Sequence, residues 1–336
     1  MALIKRLFSS TLLFFRQLRF FGFFPAFWSF LYSYSRLLGR FRTFAAFQKH
    51  RSVVKYLSGH YASIIDKFSN KKETQAQHIE GDSIIWVCWW DGIKAMPPIV
   101  NACYNSIVRH AGDHPVRLIS KHTINDFVSI PEFIIEKVNA KIITLTHFSD
   151  IIRAAVLSEY GGIWLDATIF VLKNIVLDNM PFFTLKTKQK TLSISHDRWQ
   201  GLCSLSSNGN YKTNTEINRW SGFILAGAKK SPLFEFMKEF FYAYWTKENN
   251  MIDYLLIDYA IALAYDTMPE VKKMIDAVPC SEGDKFALEH SLNTEFSDEL
   301  LDSFSRMTFH KLSWKLHFDE YTKNKKLTMY GYLTGK

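Results

Sequence analysis

The chain has 336 residues, 48% hydrophobic and 16% aromatic, enough for one catalytic-sized core, and its composition is neither collagenous nor broadly disordered. Its net charge of +9 belongs to one end: ten Lys/Arg and no acid precede Asp66, while the remaining 31 basic and 32 acidic residues leave the body at −1. A body without a global positive field is not built to release counterions from a phosphate backbone, which argues against nucleic acid as its partner.

Residues 1–65 read as a basic, aromatic helical arm. Residues 20–35, FFGFFPAFWSFLYSYS, are uncharged and flanked by Arg16 and Arg19 on one side and Arg36, Arg40 and Arg42 on the other. A spanning helix wants about 20 apolar residues. This run is shorter, contains Gly22 and Pro25, and is followed by no small-residue cleavage site of a signal peptide. Aromatic rings favour the headgroup layer and Lys/Arg are drawn to anionic lipid, so the arm is expected to lie on a membrane surface. The other reading is that the rings dock on the protein's own core or on a partner subunit.

Residues 66–82, DKFSNKKETQAQHIEGD, are polar and read as a linker into a main domain over 83–336. SIIWVCWW suits a buried first strand that stops at Asp91-Gly92, and Pro97 and Pro98 open a helix closing on Gly112. VRLIS is a second strand, KHTINDFVSIPEFIIEKV a loop and helix, and AKIITLT a further strand. Ser149 is placed to cap the helix DIIRAAVLSEY, Gly161 ends it, and IWLDATIFV follows as one strand. This alternation predicts an α/β fold with a mostly parallel sheet flanked by helices, in which ligands bind beyond the carboxyl ends of the strands. Residues 182–199 and 219–230 read as strands and turns, 231–248 and 251–268 as helices. Cys88, Cys103, Cys203 and Cys280 lack CxxC spacing, signalling neither a zinc site nor a disulfide framework, and a reducing compartment is expected.

The residues able to carry chemistry gather around that strand-end plan. Asp150 and Arg153, at i and i+3, share a helix face, and Asp166 arrives at the same end of the sheet after Gly161-Gly162, whose missing side chains let backbone approach closely. Singly these are an ordinary surface pair and a turn acid. Together they offer a carboxylate and a guanidinium to sugar hydroxyls and phosphate, and a second carboxylate to a cation or a ribose. Trp89 and Trp90, beside Asp91 at the end of the first strand, are placed to stack a base, although a strand Trp is more often core. Trp220, Ser221 and Gly222 line an acceptor surface or make a plain turn. Asp253 and Asp258 fall in an apolar helical stretch; Asp258 is costly to bury alone, so it either binds an acceptor hydroxyl or joins a buried salt bridge. His310, Lys311, Ser313, Trp314 and Lys315 are suited to closing over a diphosphate, or form a solvated turn. His196-Asp197 has no GxSxG nucleophile beside it, so hydrolysis has thin support.

The run Ser149-Asp150-x-x-Arg153 with Tyr160-Gly161-Gly162-Ile163-x-Leu165-Asp166 resembles the core of GT-A fold glycosyltransferases of the capsular polysaccharide synthesis type, relatives of enzymes whose sugar-binding DXD motif follows a YGG turn. The likeness covers about residues 84–315, with further matches at RWSGFILAGAKKSPLF, DYLLIDYAI and HKLSWK, and leaves out the arm. It implies a Rossmann-like GT-A domain in which Asp150 and Arg153 grip the donor sugar and Asp166 is the first DXD acid. Thr168 stands in place of the second acid and is a weaker ligand for a hard cation. Either Asp166 and Thr168 hold Mn²⁺ or Mg²⁺ with help from elsewhere, or Lys311, Lys315 or Arg153 takes over the diphosphate charge.

The implied activity is transfer of a hexosyl unit, with retention, from a nucleotide-sugar to a growing, lipid-linked polysaccharide by a peripheral enzyme on the cytoplasmic face of the cell membrane. The rival from another class is a non-catalytic, membrane-associated glycan-binding or scaffold subunit whose Asp-Ala-Thr marks lost activity. A phosphotransferase on lipid-linked sugars is a third expectation.

Overall fold

The computed structural model describes residues 2–34, 41–71, 78–177, 179–187 and 220–336; His196-Asp197, Cys203 and Arg219 lie outside them. The arm is helical: α1 (Ala2–Phe21), α2 (Phe23–Tyr34), α3 (Phe41–His60) and α4 (Ala62–Ser69). Gly22, at φ 80°, makes the corner between α1 and α2, and α2 packs on both α1 and α3. Residues 66–69 of the expected linker complete α4 and bury Phe68. Among the described residues, no helix is long and apolar enough to cross a membrane.

The main body runs β1 (Ile85–Cys88), α5 (Pro98–Arg109), β2 (Val116–Ile119), α6 (Glu132–Asn139), α7 (Leu145–Tyr160), β3 (Gly162–Leu165), β4 (Ile169–Val171), β5 (Phe182–Thr184), β6 (Lys186–Thr187) and β7 (Ile224–Gly227). It continues with α8 (Pro232–Lys247), α9 (Leu256–Thr267), α10 (Pro269–Ala277), β8 (Cys280–Ser281), α11 (Ala287–His290), α12 (Asp298–Ser303), β9 (Phe309–Lys311) and α13 (Met329–Leu333). The central sheet has the order β2-β1-β3-β7-β5. β1 is parallel to β2 and β3, whereas β7 is antiparallel to both β3 and β5, so β7 alone runs against the other four strands. Every residue of β3 and β7 is buried, as expected for strands covered on both faces. The neighbouring α7 buries eleven residues because it is wedged between the sheet and α8.

Several local expectations give way to turns. AKIITLT is not a strand: Lys141 takes φ 59° and the amides of Ile142 and Ile143 bond back to the Lys137 carbonyl, so these residues close α6 instead of pairing. Thr144 rather than Ser149 caps α7, its hydroxyl accepting from the His147 amide, and Ser149 lies inside the helix. IWLDATIFV is two strands, because the Ile169 amide donates to the Asp166 carbonyl and the resulting turn sends β4 out of the main sheet to pair with β9. Asp253 precedes α9 and is not in it.

The edge of the charged arm is not the edge of the core. Val53, Leu57, Tyr61, Ile65 and Phe68 belong to the same buried cluster as the sheet. Lys49 bridges Asp253 at 2.5 Å, the His50 ring bonds the Tyr259 hydroxyl at 2.6 Å, and Gln17 Nε2 donates to the Ile252 carbonyl at 2.9 Å. Burial and the adjacent Lys49 ammonium hold His50 down to a pKa of about 3, so its ring is neutral.

Candidate functional site

A cleft of about 570 Å³ opens at the carboxyl ends of β1 and β3, within the range of small-molecule sites. β1 delivers Trp89, Trp90 and Asp91 to it, and β3 delivers Asp166 and Thr168. The antiparallel sense of β7 brings Trp220, Ser221 and Gly222, which precede that strand, to the same end. α7 supplies Asp150 and Arg153, α9 supplies Asp258, and the segment after β9 contributes Ser313, Trp314 and Lys315 beside Lys311. Topology thus gathers most of the expected residues in one place.

Arg153 is the hub. It is 4% exposed; its Nη1 donates to Asp150 Oδ1 at 3.0 Å, its Nη2 donates to Asp166 Oδ1 at 2.8 Å, and its guanidinium lies 4.9 Å from the centre of the Trp164 ring. Trp164 Nε1 donates to the same Asp166 oxygen at 3.0 Å. On the other side, Lys311 Nζ is 3.4 Å from Asp166 Oδ2 and donates to Thr168 Oγ1. Burial alone would raise the Asp166 pKa, but Lys311, Arg153 and the Trp164 N–H outweigh it and hold the carboxyl below its ordinary range. Asp150 goes the other way: burial and the neighbouring Asp166 and Asp258 outweigh Arg153 and push it up to about 7. Two acids joined through one guanidinium are thus pushed in opposite directions.

The aromatic residues divide. Trp86 is fully buried, with its N–H on the Gly161 carbonyl at 2.9 Å. Trp89 meets Trp314 edge to face at 5.6 Å, and Trp90 packs on Phe148 while still lining the cleft. Asp91 sits at the rim, paired with Lys121 at 3.2 Å. On the opposite wall Trp220 Nε1 donates to Asp258 Oδ1 at 3.0 Å, and Ser221 Oγ donates to the Leu185 carbonyl. A Cβ on Gly222 would meet Ile257 and Asp258 only at ordinary van der Waals distances.

Three expected site residues lie elsewhere. Gly161 and Gly162 open β3 at the end opposite Asp166, at φ 69° and 96°, where added Cβ atoms would fall 2.4 Å from the Lys229 amide nitrogen and 2.3 Å from the Ile84 carbonyl oxygen. The close approach read from their sequence exists, but it is strand against backbone and not protein against ligand. His310 is 1% exposed, faces away from the cleft opposite Phe170, and bonds the Met307 carbonyl, because β-alternation puts its side chain on the reverse face from Lys311.

The cleft also contains residues that carried no signal in the sequence. Lys285 donates to Ser221 Oγ at 3.2 Å and lies near the Phe223 and Phe286 rings. Tyr254 and Glu289 complete the lining. Lys285 comes from a polar loop with no periodicity, so only its tertiary position distinguishes it.

The described donors do not form a divalent-cation site. Both Asp166 oxygens already face N–H donors, Thr168 is engaged by Lys311, and among the described residues no group of three His, Cys, Asp or Glu converges. A Mn²⁺ or Mg²⁺ ion about 4 Å from the Lys311 ammonium would meet a repulsion of roughly 8 kcal/mol at an effective dielectric of 20. The pair of Asp166 and Thr168 suits an ammonium.

The family described as capsular polysaccharide synthesis protein matches residues 39–333, which takes in α3 and α4 as well as the main body. A comparison with curated proteins finds no match.

Proposed function

Because the chain belongs to the capsular polysaccharide synthesis protein family, we propose that it is a glycosyltransferase that moves a hexosyl unit from a nucleotide-sugar to a growing, lipid-linked polysaccharide at the inner face of the cell membrane. The observation that carries this reading is the Asp150–Arg153–Asp166–Lys311 array held in a ring-lined cleft at the strand ends. Asp150 and Arg153 take the sugar hydroxyls, Trp89 or Trp314 offers a ring to the base, and the wall of Trp220, Ser221 and Asp258 faces the acceptor. In the transfer, the bond from the anomeric carbon to the β-phosphate oxygen breaks and its electron pair stays on the departing diphosphate. The acceptor oxygen bonds that carbon, and its proton passes to the departing phosphate. Charge grows on the diphosphate as this happens, and fixed cations aimed at it supply the largest share of such accelerations.

Incubation with a panel of nucleotide-linked hexoses should release nucleoside diphosphate. Asp166→Ala, checked for folding by circular dichroism, should lower that release about 10²–10³-fold. Glycan binding with no nucleotide affinity would instead favour a scaffold.

The arm fits a role on the lipid surface. Phe15, Phe20, Phe23 and Phe24 are 60, 40, 54 and 68% exposed, and Arg16 and Arg19 are exposed beside them. Rings at headgroup depth with Lys/Arg near anionic lipid, each cation contributing about 1 kcal/mol, give reversible attachment. Deleting residues 1–50 would also remove Lys49 and His50 from the core, so point changes are the cleaner test. Phe23→Ser with Phe24→Ser should weaken cosedimentation with phosphatidylglycerol vesicles at least tenfold. Undiminished binding of that variant would end this account.

A further inference from the structure

We infer that the Lys311 ammonium, and not a divalent cation, is the positive charge that Asp166 and Thr168 hold in place to receive the donor's diphosphate. This rests on the reading of the cleft as a nucleotide-sugar site. Lys311 reaches its position by register: in the β4–β9 pairing it stands opposite Ile169, one residue beyond Thr168, and its amide donates to the Lys285 carbonyl at 2.8 Å. Thr168 is fixed as well, its carbonyl accepting from the Leu312 amide at 2.9 Å. The ammonium is therefore delivered from a rigid strand to a point between the Asp166 carboxylate and the Thr168 hydroxyl.

A carboxylate at position 168 would bring a second negative charge to that point; a hydroxyl instead accepts a hydrogen bond from the ammonium and leaves its charge uncancelled. Asp166 is in turn shared with Arg153, which also donates to Asp150, so the Lys311 ammonium does not have that carboxylate to itself. The Lys311 ammonium is open to the cleft: Lys311 lines it, and its side chain retains 21% of its accessible surface. An ammonium also carries protons to donate to phosphate oxygens.

Calorimetric titration with UDP, GDP, ADP and CDP, with and without Mn²⁺ or EDTA, tests this apart from turnover. The expected result is binding of at least one diphosphate whose affinity changes less than threefold on adding either reagent. Lys311→Met should weaken that binding at least tenfold with no rescue by Mn²⁺, and Lys311→Arg should restore most of it. The double change Lys311→Met with Thr168→Asp should bind only when Mn²⁺ is present. Binding by the unmodified protein that requires Mn²⁺ would overturn the inference and leave the transferase reading intact. Undiminished binding by Lys311→Met would overturn it too. Absence of binding to all four diphosphates, with and without metal, would overturn both readings.

Discussion

Arg153→Met should lower the free energy of unfolding by about 3–5 kcal/mol and abolish turnover, because it removes one member of a buried ionic array and leaves its partners behind. Asp150 and Asp166 both accept from this guanidinium, at 3.0 and 2.8 Å. Lys311 still faces Asp166 in the variant, but Asp150 loses the only cation bonded to it among the described residues. The deficit should grow with pH. Asp150 already sits at about 7 with Arg153 present, and without that cation it rises further. An acid raised above its unfolded value holds its proton longer in the native state, so stability falls as pH climbs from the ordinary carboxylate range through the raised value. Asp166, held low in the intact protein, contributes stability above its unfolded pKa that is lost as pH drops through the carboxylate range; the variant forfeits part of that contribution at pH 5 and pH 8 alike, so the difference between the two comes from Asp150. Urea midpoints at pH 5 and pH 8 therefore separate this account from simple loss of packing: a destabilisation equal at both values would refute it. Arg153→Lys should recover little, since an ammonium lacks the planar fork that reaches both acids from a position over the Trp164 ring.

The second large effect is expected from Gly162→Ala. The positive φ of 96° disfavours a Cβ by about 1–2 kcal/mol. Its overlap with the Ile84 carbonyl oxygen, 2.3 Å away, adds about 1–3 kcal/mol of strain. The displaced carbonyl is the acceptor of the Ile163 amide, so the β1–β3 pairing loosens at its first bond. Thermal unfolding should show the loss, whereas the folded fraction should bind nucleoside diphosphate as the unmodified protein does, because Gly162 is at the far end of β3. A variant of ordinary stability that no longer binds would return this glycine to the ligand site.

The two predictions mark how far local pattern reaches. The apolar runs stopping at Asp91 and Asp166, the i,i+3 spacing of Asp150 and Arg153 and the breaking effect of Gly161 are short-range features, and each holds in the fold. AKIITLT failed because β-branched composition marks a strand only when a partner edge is available, and here the chain folds back on α6 first.

Lys311 meets Asp166 across 145 residues, Trp220 meets Asp258 across 38, and Lys49 ties the arm to Asp253. None of these pairings has a periodicity to betray it. The amino-acid order by itself determined the main helices, most of the core strands and which acids lie at strand ends, because those depend on interactions within a few residues. Which cation faces which carboxylate, whether a glycine serves a ligand or a neighbouring strand, and that half of the basic arm joins the core were decided only by tertiary structure, since strand register and helix docking fix distances that no local window contains.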